Sequence, residues 1–320
     1  MTDPQPIALD EIVAARDRIR DYAIRTPLIR LNIDDTPAEI YLKLENLQPI
    51  GAFKVRGAAN AILSANPEAL TNGIFTASAG NMAQGVGYVA RQLGLPFQVV
   101  VPDHAPQAKL SAIERLGGAV IKVPFDEWWQ VLLTRQYAGL NGFFVHPVSD
   151  PAVMAGNGTI GLEILQDLPD ADVVIIPFGG GGLSSGIASA IHALKPNTKI
   201  YASEVNTSAA LSAALKAQQP TRIEYVPSFV DGIGSGSVLP EMWPLVRQLL
   251  TDSIVVSLEQ VAEAIRLLIV RNRVIAEGAG ASSVAAALTG QAGVGKIVCV
   301  VSGGNIDATK IAAILQGQVP

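Results

Sequence analysis

The stretch Gly51-Ala52-Phe53-Lys54-Val55-Arg56-Gly57 places a lysine directly after an aromatic residue, with glycines close on both sides. Glycines allow a tight turn or a close approach of the backbone to a ligand, and Phe53 can offer a flat face to a ring. A lysine held in such a place has its pKa lowered by desolvation, and its neutral amine can then form a Schiff base. The same residues also fit an ordinary amphipathic lysine that opens a helix over residues 55–64. This stretch alone leaves both interpretations open.

Three further loops each follow a strand-like run and precede a helix-like one. The first, Ser78-Ala79-Gly80-Asn81-Met82, offers backbone N–H groups and a helix dipole that suit a carboxylate or a phosphate. The second, Gly179-Gly180-Gly181-Gly182-Leu183, can wrap a phosphate with main-chain donors, although it matches neither the Walker A nor the Rossmann spacing. In the third, Ser302-Gly303-Gly304-Asn305, the serine could be a plain helix cap. Each loop by itself also fits a routine turn.

Alternating strands and helices position these loops. The hydrophobic pattern predicts strands at residues 28–29, 40–44, 74–77, 98–101, 119–123, 143–145, 173–176, 199–203, 253–256 and 297–301. It predicts helices at residues 9–24, 55–64, 81–93, 106–116, 126–139, 183–194, 207–216, 258–271 and 305–315. Strands separated by helices of this length form parallel sheets covered on both faces. The sequence therefore predicts an α/β protein with two lobes and a ligand between them, at the carboxyl ends of the strands.

Length and composition set the size and class of the protein. A length of 320 residues favours two domains over one. We place the boundaries so that a large domain is formed by 1–68 and 149–320, with a small domain, 69–148, inserted. A hydrophobic content of 49% with only 16% charged residues indicates a compact globular protein. The three histidines and one cysteine argue against a Cys/His metal site, and Cys299 cannot form an internal disulfide.

Charge and hydropathy limit the partners. The net charge is −5 and no run of Lys or Arg stands out, so nucleic acid and anionic membranes are not expected partners. No apolar segment approaches the ~20 residues that span a bilayer. The polar start Met1-Thr2-Asp3-Pro4-Gln5 lacks the basic and apolar regions of a secretory signal. We expect a soluble, cytoplasmic protein.

Taken together, the motifs resemble one family along almost the whole chain. The motifs are Thr26-Pro27-Leu28, Lys43-Leu44-Glu45, Ala52-Phe53-Lys54-Val55-Arg56-Gly57-Ala58, Ser78-Ala79-Gly80-Asn81, Gly179 to Leu183, Glu277 and Ser302 to Asn305. In order and spacing they are similar to the fold type II pyridoxal-phosphate enzymes, above all to the threonine/serine dehydratases and serine racemases. The resemblance implies two open, mostly parallel αβα lobes, with the cofactor in the cleft between them, and a homodimer.

The resemblance also implies roles for individual residues. Lys54 would hold pyridoxal 5′-phosphate and remove the Cα proton of the substrate. The other residues implied in cofactor binding are Phe53 against the ring, Asn81 at the 3′ oxygen, Gly179, Gly180, Gly181, Gly182 and Leu183 at the phosphate, Glu277, and Ser302 at the pyridine nitrogen. The residues implied in binding the substrate carboxylate are Ser78, Ala79, Gly80, Asn81 and Met82. A hydroxyl at the pyridine nitrogen stabilises a ring proton less than a carboxylate does, which favours β-elimination over transamination.

The implied activity is that of an ammonia-lyase that converts L-threonine or L-serine to a 2-oxo acid and ammonia. Alternatives are a racemase, a β-replacement enzyme, a dehydratase for bulkier or acidic hydroxy amino acids such as phenylserine or hydroxyaspartate, or a nucleotide-binding or catalytically silent binding protein.

Several residues depart from the family pattern. Met82 replaces the usual histidine and could widen the substrate side or merely pack under its helix, while Asn157 and Ala52 replace a glutamine and a serine. Ala210 stands where the family's divalent-metal site has an acidic residue, so we predict no metal site. The short segment after Ser302 suggests that the C-terminal regulatory domain of the biosynthetic threonine dehydratases is absent.

Overall fold

The computed structural model of the protein describes residues 5–320, which form two sheets with helices packed around them. In chain order the strands are β1 (Leu28–Arg30), β2 (Ala38–Leu44), β3 (Ile74–Ala77), β4 (Phe97–Pro102), β5 (Ala119–Val123), β6 (Phe143–Phe144), β7 (Val173–Pro177), β8 (Lys199–Val205), β9 (Asp252–Val256) and β10 (Gly295–Val301). The helices are α1 (Leu9–Ile19), α2 (Lys54–Leu63), α3 (Asn81–Leu93), α4 (Gln107–Arg115), α5 (Phe125–Thr134), α6 (Pro151–Asp167), α7 (Gly182–Leu194), α8 (Ala210–Ala217), α9 (Trp243–Leu249), α10 (Leu258–Leu267), α11 (Gly278–Leu288) and α12 (Ala308–Leu315). The first four residues, on which the predicted lack of a secretory signal partly rests, lie outside the described residues.

Both sheets are open and mostly parallel, which confirms the predicted fold class. The larger sheet has the order β1-β2-β10-β7-β8-β9, in which the edge strand β1 is antiparallel to β2 and all other pairs are parallel. The smaller sheet has the order β5-β4-β3-β6 and is parallel throughout. Parallel strands covered on both faces carry continuous apolar runs, and β7 and most of β10 are buried in this way.

The predicted domain boundaries stay a prediction. The strands of the smaller sheet lie between residues 74 and 144, inside the predicted insertion 69–148. Helix α2 belongs to the predicted large domain, yet its residues Val55 and Ile62 share one apolar core with Ile74 and Val99 of the smaller sheet. The start of α2, where Lys54 lies, is therefore supported by apolar packing that the smaller sheet shares.

Three helices were not predicted from the sequence: α6, α9 and α11. Helix α6 is buried along most of its length and packs between α2 and α7. Because it has no exposed polar face, its sequence lacks the alternation of polar and apolar residues by which an amphipathic helix is predicted. Its glycines permit this close packing, since a Cβ at Gly156 would lie 2.4 Å from the carbonyl oxygen of Arg56.

Helix α5 ends at Thr134 instead of residue 139 because Arg135 adopts a left-handed conformation with φ of 60°.

A buried cluster of two cations and two anions joins β2, α2 and α6. The Arg56 guanidinium contacts the Glu45 carboxylate through Nε and Nη2, both at 2.8 Å, and Glu163 Oε1 through Nη1 at 2.7 Å. Lys43 Nζ lies 2.5 Å from Glu163 Oε2 and donates to the Thr26 carbonyl at 2.6 Å. These charges are paired and hydrogen-bonded, as buried charges must be. The cluster fixes the helix that begins with Lys54.

Replacing Arg56 with methionine should lower the free energy of unfolding by about 3–5 kcal/mol, because two buried carboxylates lose their shared partner. Urea unfolding of the two proteins measures the difference. The matched control is Arg266→Met, which removes an exposed ion pair with Glu263 and should change the stability by at most about 1 kcal/mol. Equal effects of the two substitutions would show that the buried cluster contributes no more than a surface pair.

Candidate active site

A cavity of about 670 Å³ lies where the carboxyl ends of strands from both sheets meet. The loops after β3, β7 and β10 all reach its wall, as expected for parallel sheets. It is lined by every residue that the sequence analysis singled out for cofactor or substrate: Phe53, Lys54, Ser78, Ala79, Gly80, Asn81, Met82, Gly179, Gly180, Gly181, Gly182, Leu183, Glu277 and Ser302. Residues more than 200 positions apart in the sequence are therefore brought to one place.

Lys54 is the first residue of α2, and the loop before it is held by main-chain hydrogen bonds. The Phe53 N–H donates to the Ser302 carbonyl at 2.9 Å, and the Gly304 N–H donates to the Gly51 carbonyl at 2.8 Å. The Lys54 amine donates to the Pro147 carbonyl at 2.8 Å and lies 5.1 Å from the centre of the Phe53 ring. Burial lowers the pKa of Lys54 to about 8, although the negative charge of Glu277 acts to raise it. A larger fraction of this amine than of an exposed lysine is thus neutral and nucleophilic near neutral pH.

Two helices point uncapped N-termini at the cavity. Helix α3 begins at Asn81 after Gly80, and helix α7 begins at Gly182 after Gly181; no side chain caps either of them. The first N–H groups of a helix have no partner within it, and the helix dipole favours negative charge at that end. The geometry provides two separate anion sites, one on each lobe.

The glycine loop before α7 has no room for side chains. A Cβ at Gly180 would lie 2.7 Å from Val148 Cγ1, and one at Gly182 would lie 2.5 Å from the Val148 carbonyl oxygen. Gly181 has a φ of +94°, and its Cβ would lie 2.8 Å from Val246 Cγ1. Protein atoms fill the space where side chains would project, so this stretch of the cavity wall is main chain.

The remaining predicted residues differ in what they present to the cavity. Ser302 is 2% exposed, and within residues 5–320 its hydroxyl has no hydrogen-bond partner. Asn81 Nδ2 donates to Glu277 Oε1 at 2.9 Å. Burial raises the pKa of Glu277 to about 7, although this hydrogen bond acts to lower it. Met82 is 1% exposed, and its side chain belongs to the apolar core that also contains Val55.

An ion pair across the cleft was not predicted from the sequence. Lys109 Nζ, on α4, lies 2.6 Å from the Asp231 carboxylate in the 3₁₀ helix Asp231–Ile233. Both residues line the cavity and are about half exposed. Such a pair has no signal in the sequence, because it forms only when the two lobes face each other.

Glu204, which precedes Ala210 in the sequence, accepts hydrogen bonds from the start of helix α8. Its carboxylate accepts hydrogen bonds from the Leu211 and Ser212 N–H groups, both at 2.8 Å, and from the Ser253 hydroxyl at 2.6 Å. These contacts hold the start of α8 against β9.

None of the helices described for residues 5–320 is both long and apolar enough to span a membrane.

Comparison with known proteins agrees with this geometry. Residues 19–303 match the family of pyridoxal-phosphate dependent enzymes. The L-threonine ammonia-lyase of Thermotoga maritima is 40% identical over 314 residues, covering 97% of this chain and 78% of that protein. The L-threonine ammonia-lyase of Geobacter sulfurreducens is 42% identical over 314 residues, covering 95% of this chain and 77% of that protein. The structure of maize serine racemase has a TM-score of 0.88 and 31% identity, covering 96% of each chain. The protein belongs to the pyridoxal-phosphate-dependent enzymes.

Proposed function

We propose that the protein is a lyase that removes water from L-threonine or L-serine and yields a 2-oxo acid and ammonia. The observation that carries the proposal is the position of the Lys54 amine. It has a lowered pKa and lies in a cavity lined by the uncapped N-termini of α3 and α7. Two relatives at 40% and 42% identity are L-threonine ammonia-lyases.

The residues of the cavity fit pyridoxal phosphate. The uncapped start of α7 and its glycine loop offer main-chain donors for the phosphate, and Phe53 offers a ring face. The unpartnered hydroxyl of Ser302 suits the pyridine nitrogen, and the Lys54 amine suits the aldehyde. When bound, the cofactor supplies an electron sink for the negative charge that develops at the substrate Cα.

The chain itself supplies position and proton transfer. The N–H groups from Ser78 to Met82, in the loop before α3 and at its first residues, bind the substrate carboxylate. The Lys54 amine then takes the proton from Cα, so that the electron pair of the Cα–H bond remains on the substrate. Loss of the β-hydroxyl breaks the Cβ–O bond, and the hydroxyl takes up the proton that Lys54 removed from Cα and leaves as water. The resulting enamine is hydrolysed to the 2-oxo acid and ammonia, so one water leaves and one is consumed.

A panel of hydroxy amino acids tests the activity. The purified protein, loaded with pyridoxal phosphate, is incubated with L-threonine, L-serine, L-threo-phenylserine and L-threo-hydroxyaspartate, and the 2-oxo acid is measured. We expect L-threonine or L-serine to be the best substrate. Preference for phenylserine or hydroxyaspartate would show that the protein is a dehydratase for a bulkier or an acidic hydroxy amino acid. No 2-oxo acid from any of the four would overturn the proposal.

Serine racemisation is the second candidate function, favoured by the similarity to maize serine racemase. Racemisation needs an acid on the cofactor face opposite Lys54 to return a proton to Cα. In the racemases that this chain resembles, a serine fills the position of Ala79, and alanine has no proton to give. We therefore expect pyruvate to form from L-serine at least about tenfold faster than D-serine, since one positioned acid or base contributes about 10²–10⁴-fold to the rate. Parallel measurement of both products decides, and comparable rates would refute the Ala79 argument.

We further propose that the protein is a cytoplasmic homodimer that takes a small amino acid as its ligand and binds neither nucleic acid nor membrane. The family resemblance supports the dimer, and the net charge of −5 without a basic run supports the absence of polyanionic partners. Light scattering on the purified holoenzyme should give twice the 33.5 kDa of one chain. A mass of one chain would contradict the dimer.

A further inference from the structure

Three side chains form a hydrogen-bonded clamp across the cleft, which we call the Asn81 clamp: Asn81, Glu277 and Asn305. Asn81 begins α3 beside the smaller sheet, whereas Glu277 precedes α11 and Asn305 follows β10 of the larger sheet. Asn81 Nδ2 lies 2.9 Å from Glu277 Oε1 and 3.3 Å from Glu277 Oε2. Asn305 Nδ2 donates to Asn81 Oδ1 at 2.8 Å. The amide of Asn81 is thus held from both sides by residues of the other lobe.

Asn305 determines which way this amide points. Its Nδ2 also donates to the Ile50 carbonyl at 2.9 Å, and because a carbonyl only accepts, that atom must be the nitrogen. Both of its N–H groups are then used, one on Ile50 and one on Asn81 Oδ1. Because Asn81 Oδ1 accepts from Asn305, Asn81 Nδ2 faces Glu277, and a carboxyl oxygen of Glu277 that carries no proton accepts from it. The two oxygens of one carboxylate lie on the same side of Asn81 Nδ2, so one N–H serves both contacts with Glu277. The other N–H of Asn81 has no partner among the described residues, and Asn81 lines the cavity.

The position of Asn305 is itself fixed by the loop that leads to Lys54. A Cβ at Gly51 would lie 2.6 Å from Asn305 Oδ1, and Gly51 has a φ of +72°. The absence of a side chain at Gly51 is what lets the Asn305 amide lie against this loop. The Asn305 amide therefore contacts both the Lys54 loop and the start of α3, and it fixes their relative position.

We propose that Asn305 is a positioning residue for the reaction: it orients the Asn81 amide so that a donor, and not an acceptor, faces an anionic oxygen of the bound cofactor or substrate. The proposal rests on the proposed function. Asn305 acts through Asn81, and Glu277 completes the orientation from the opposite side. Reversal of the amide would turn Asn81 Oδ1 towards Glu277, where two acceptors would meet unless the carboxyl group took up a proton.

The substitution Asn305→Asp tests this, because it keeps the size of the side chain and replaces the donor with an acceptor. Aspartate would face two acceptors, the Ile50 carbonyl and Asn81 Oδ1, and the Asn81 amide would have to reverse. We expect kcat to fall about 10- to 100-fold, the loss of one charge-assisted hydrogen bond. The visible absorption of the bound cofactor should also shift, while cofactor retention through Lys54 and α7 persists. The matched control is Asn272→Asp, whose amide bonds the Arg30 carbonyl and the Asn32 N–H outside the cavity and should leave kcat unchanged.

A double variant separates positioning from a merely structural role. In Asn305→Asp combined with Glu277→Gln, a reversed Asn81 amide finds an acceptor at position 305 and a donor at position 277. We expect the melting temperature of the cofactor-free protein to recover part of what Asn305→Asp loses, while kcat stays low because an acceptor now faces the ligand. Recovery of kcat together with the melting temperature would overturn the proposal, as would wild-type kcat and absorption in Asn305→Asp. A wild-type protein that forms no 2-oxo acid would instead refute the proposed function.

Discussion

Replacing Lys54 with alanine is expected to abolish the visible absorption of the lysine-bound cofactor and to lower kcat by roughly 10⁴-fold or more. The substitution removes both the group that holds the cofactor aldehyde and the base that takes the Cα proton, and a positioned base alone contributes about 10²–10⁴-fold. Absorption spectra and the release of 2-oxo acid from L-threonine measure the two effects. Lys54→Arg should fail equally, because a guanidinium keeps the charge and is neither a nucleophile nor a base near neutral pH.

The fold should survive this substitution, because the described side-chain contacts of Lys54 are one hydrogen bond to a carbonyl and one contact with the Phe53 ring. The cofactor-free variant should therefore melt within a few degrees of the cofactor-free wild type. The matched control is Lys216→Ala, which replaces an exposed lysine at the end of α8. This variant should keep the visible absorption of the bound cofactor and the wild-type kcat. A Lys54→Ala protein with wild-type colour and activity would refute the assignment of Lys54.

The position of the site could be predicted because it depends on strand ends. Ser78, Gly179 and Ser302 each follow an apolar run that the sequence marks as a strand, and each precedes a helix. Parallel strands bring such loops to one edge of a sheet, so the Gly179 and Ser302 loops of the larger sheet had to meet. The Ser78 loop follows a strand of the smaller sheet, and it joins them because the carboxyl ends of both sheets border the cavity. The order of strands in each sheet had no comparable local signal, since it is decided by long-range packing.

What could not be predicted depends on pairs distant in the sequence. Arg56 meets Glu163 across 107 positions, and Asn305 meets Asn81 across 224. No periodicity or spacing encodes such pairs. The roles of individual side chains were also partly hidden: Met82 borders the substrate side in sequence, but its side chain belongs to the core of the smaller sheet. Helix α6 was missed for a related reason, since burial on all sides removes the alternation of polar and apolar residues.

The glycine loop gives the second prediction with a large expected effect, the loss of pyridoxal-phosphate affinity in Gly180→Ala. The new Cβ would lie 2.7 and 2.8 Å from the two methyl groups of Val148, so either the valine or the loop must move. Overpacking of this kind costs about 1–3 kcal/mol, and we expect a dissociation constant raised by about 5- to 150-fold. Titration of the cofactor-free protein with pyridoxal phosphate, followed by absorbance, measures the change.

A pair of double variants locates the cause of that loss. Val148→Ala removes the methyl groups that Gly180→Ala would meet, so the double variant should bind pyridoxal phosphate nearly as tightly as Val148→Ala alone. Gly182→Ala is the matched comparison, because its Cβ would meet the Val148 carbonyl oxygen at 2.5 Å, and that backbone atom stays when the side chain is cut back. We therefore expect Val148→Ala to rescue Gly180→Ala and to leave Gly182→Ala impaired. Equal rescue of both glycine variants, or of neither, would show that the contacts with Val148 do not set the shape of the phosphate loop.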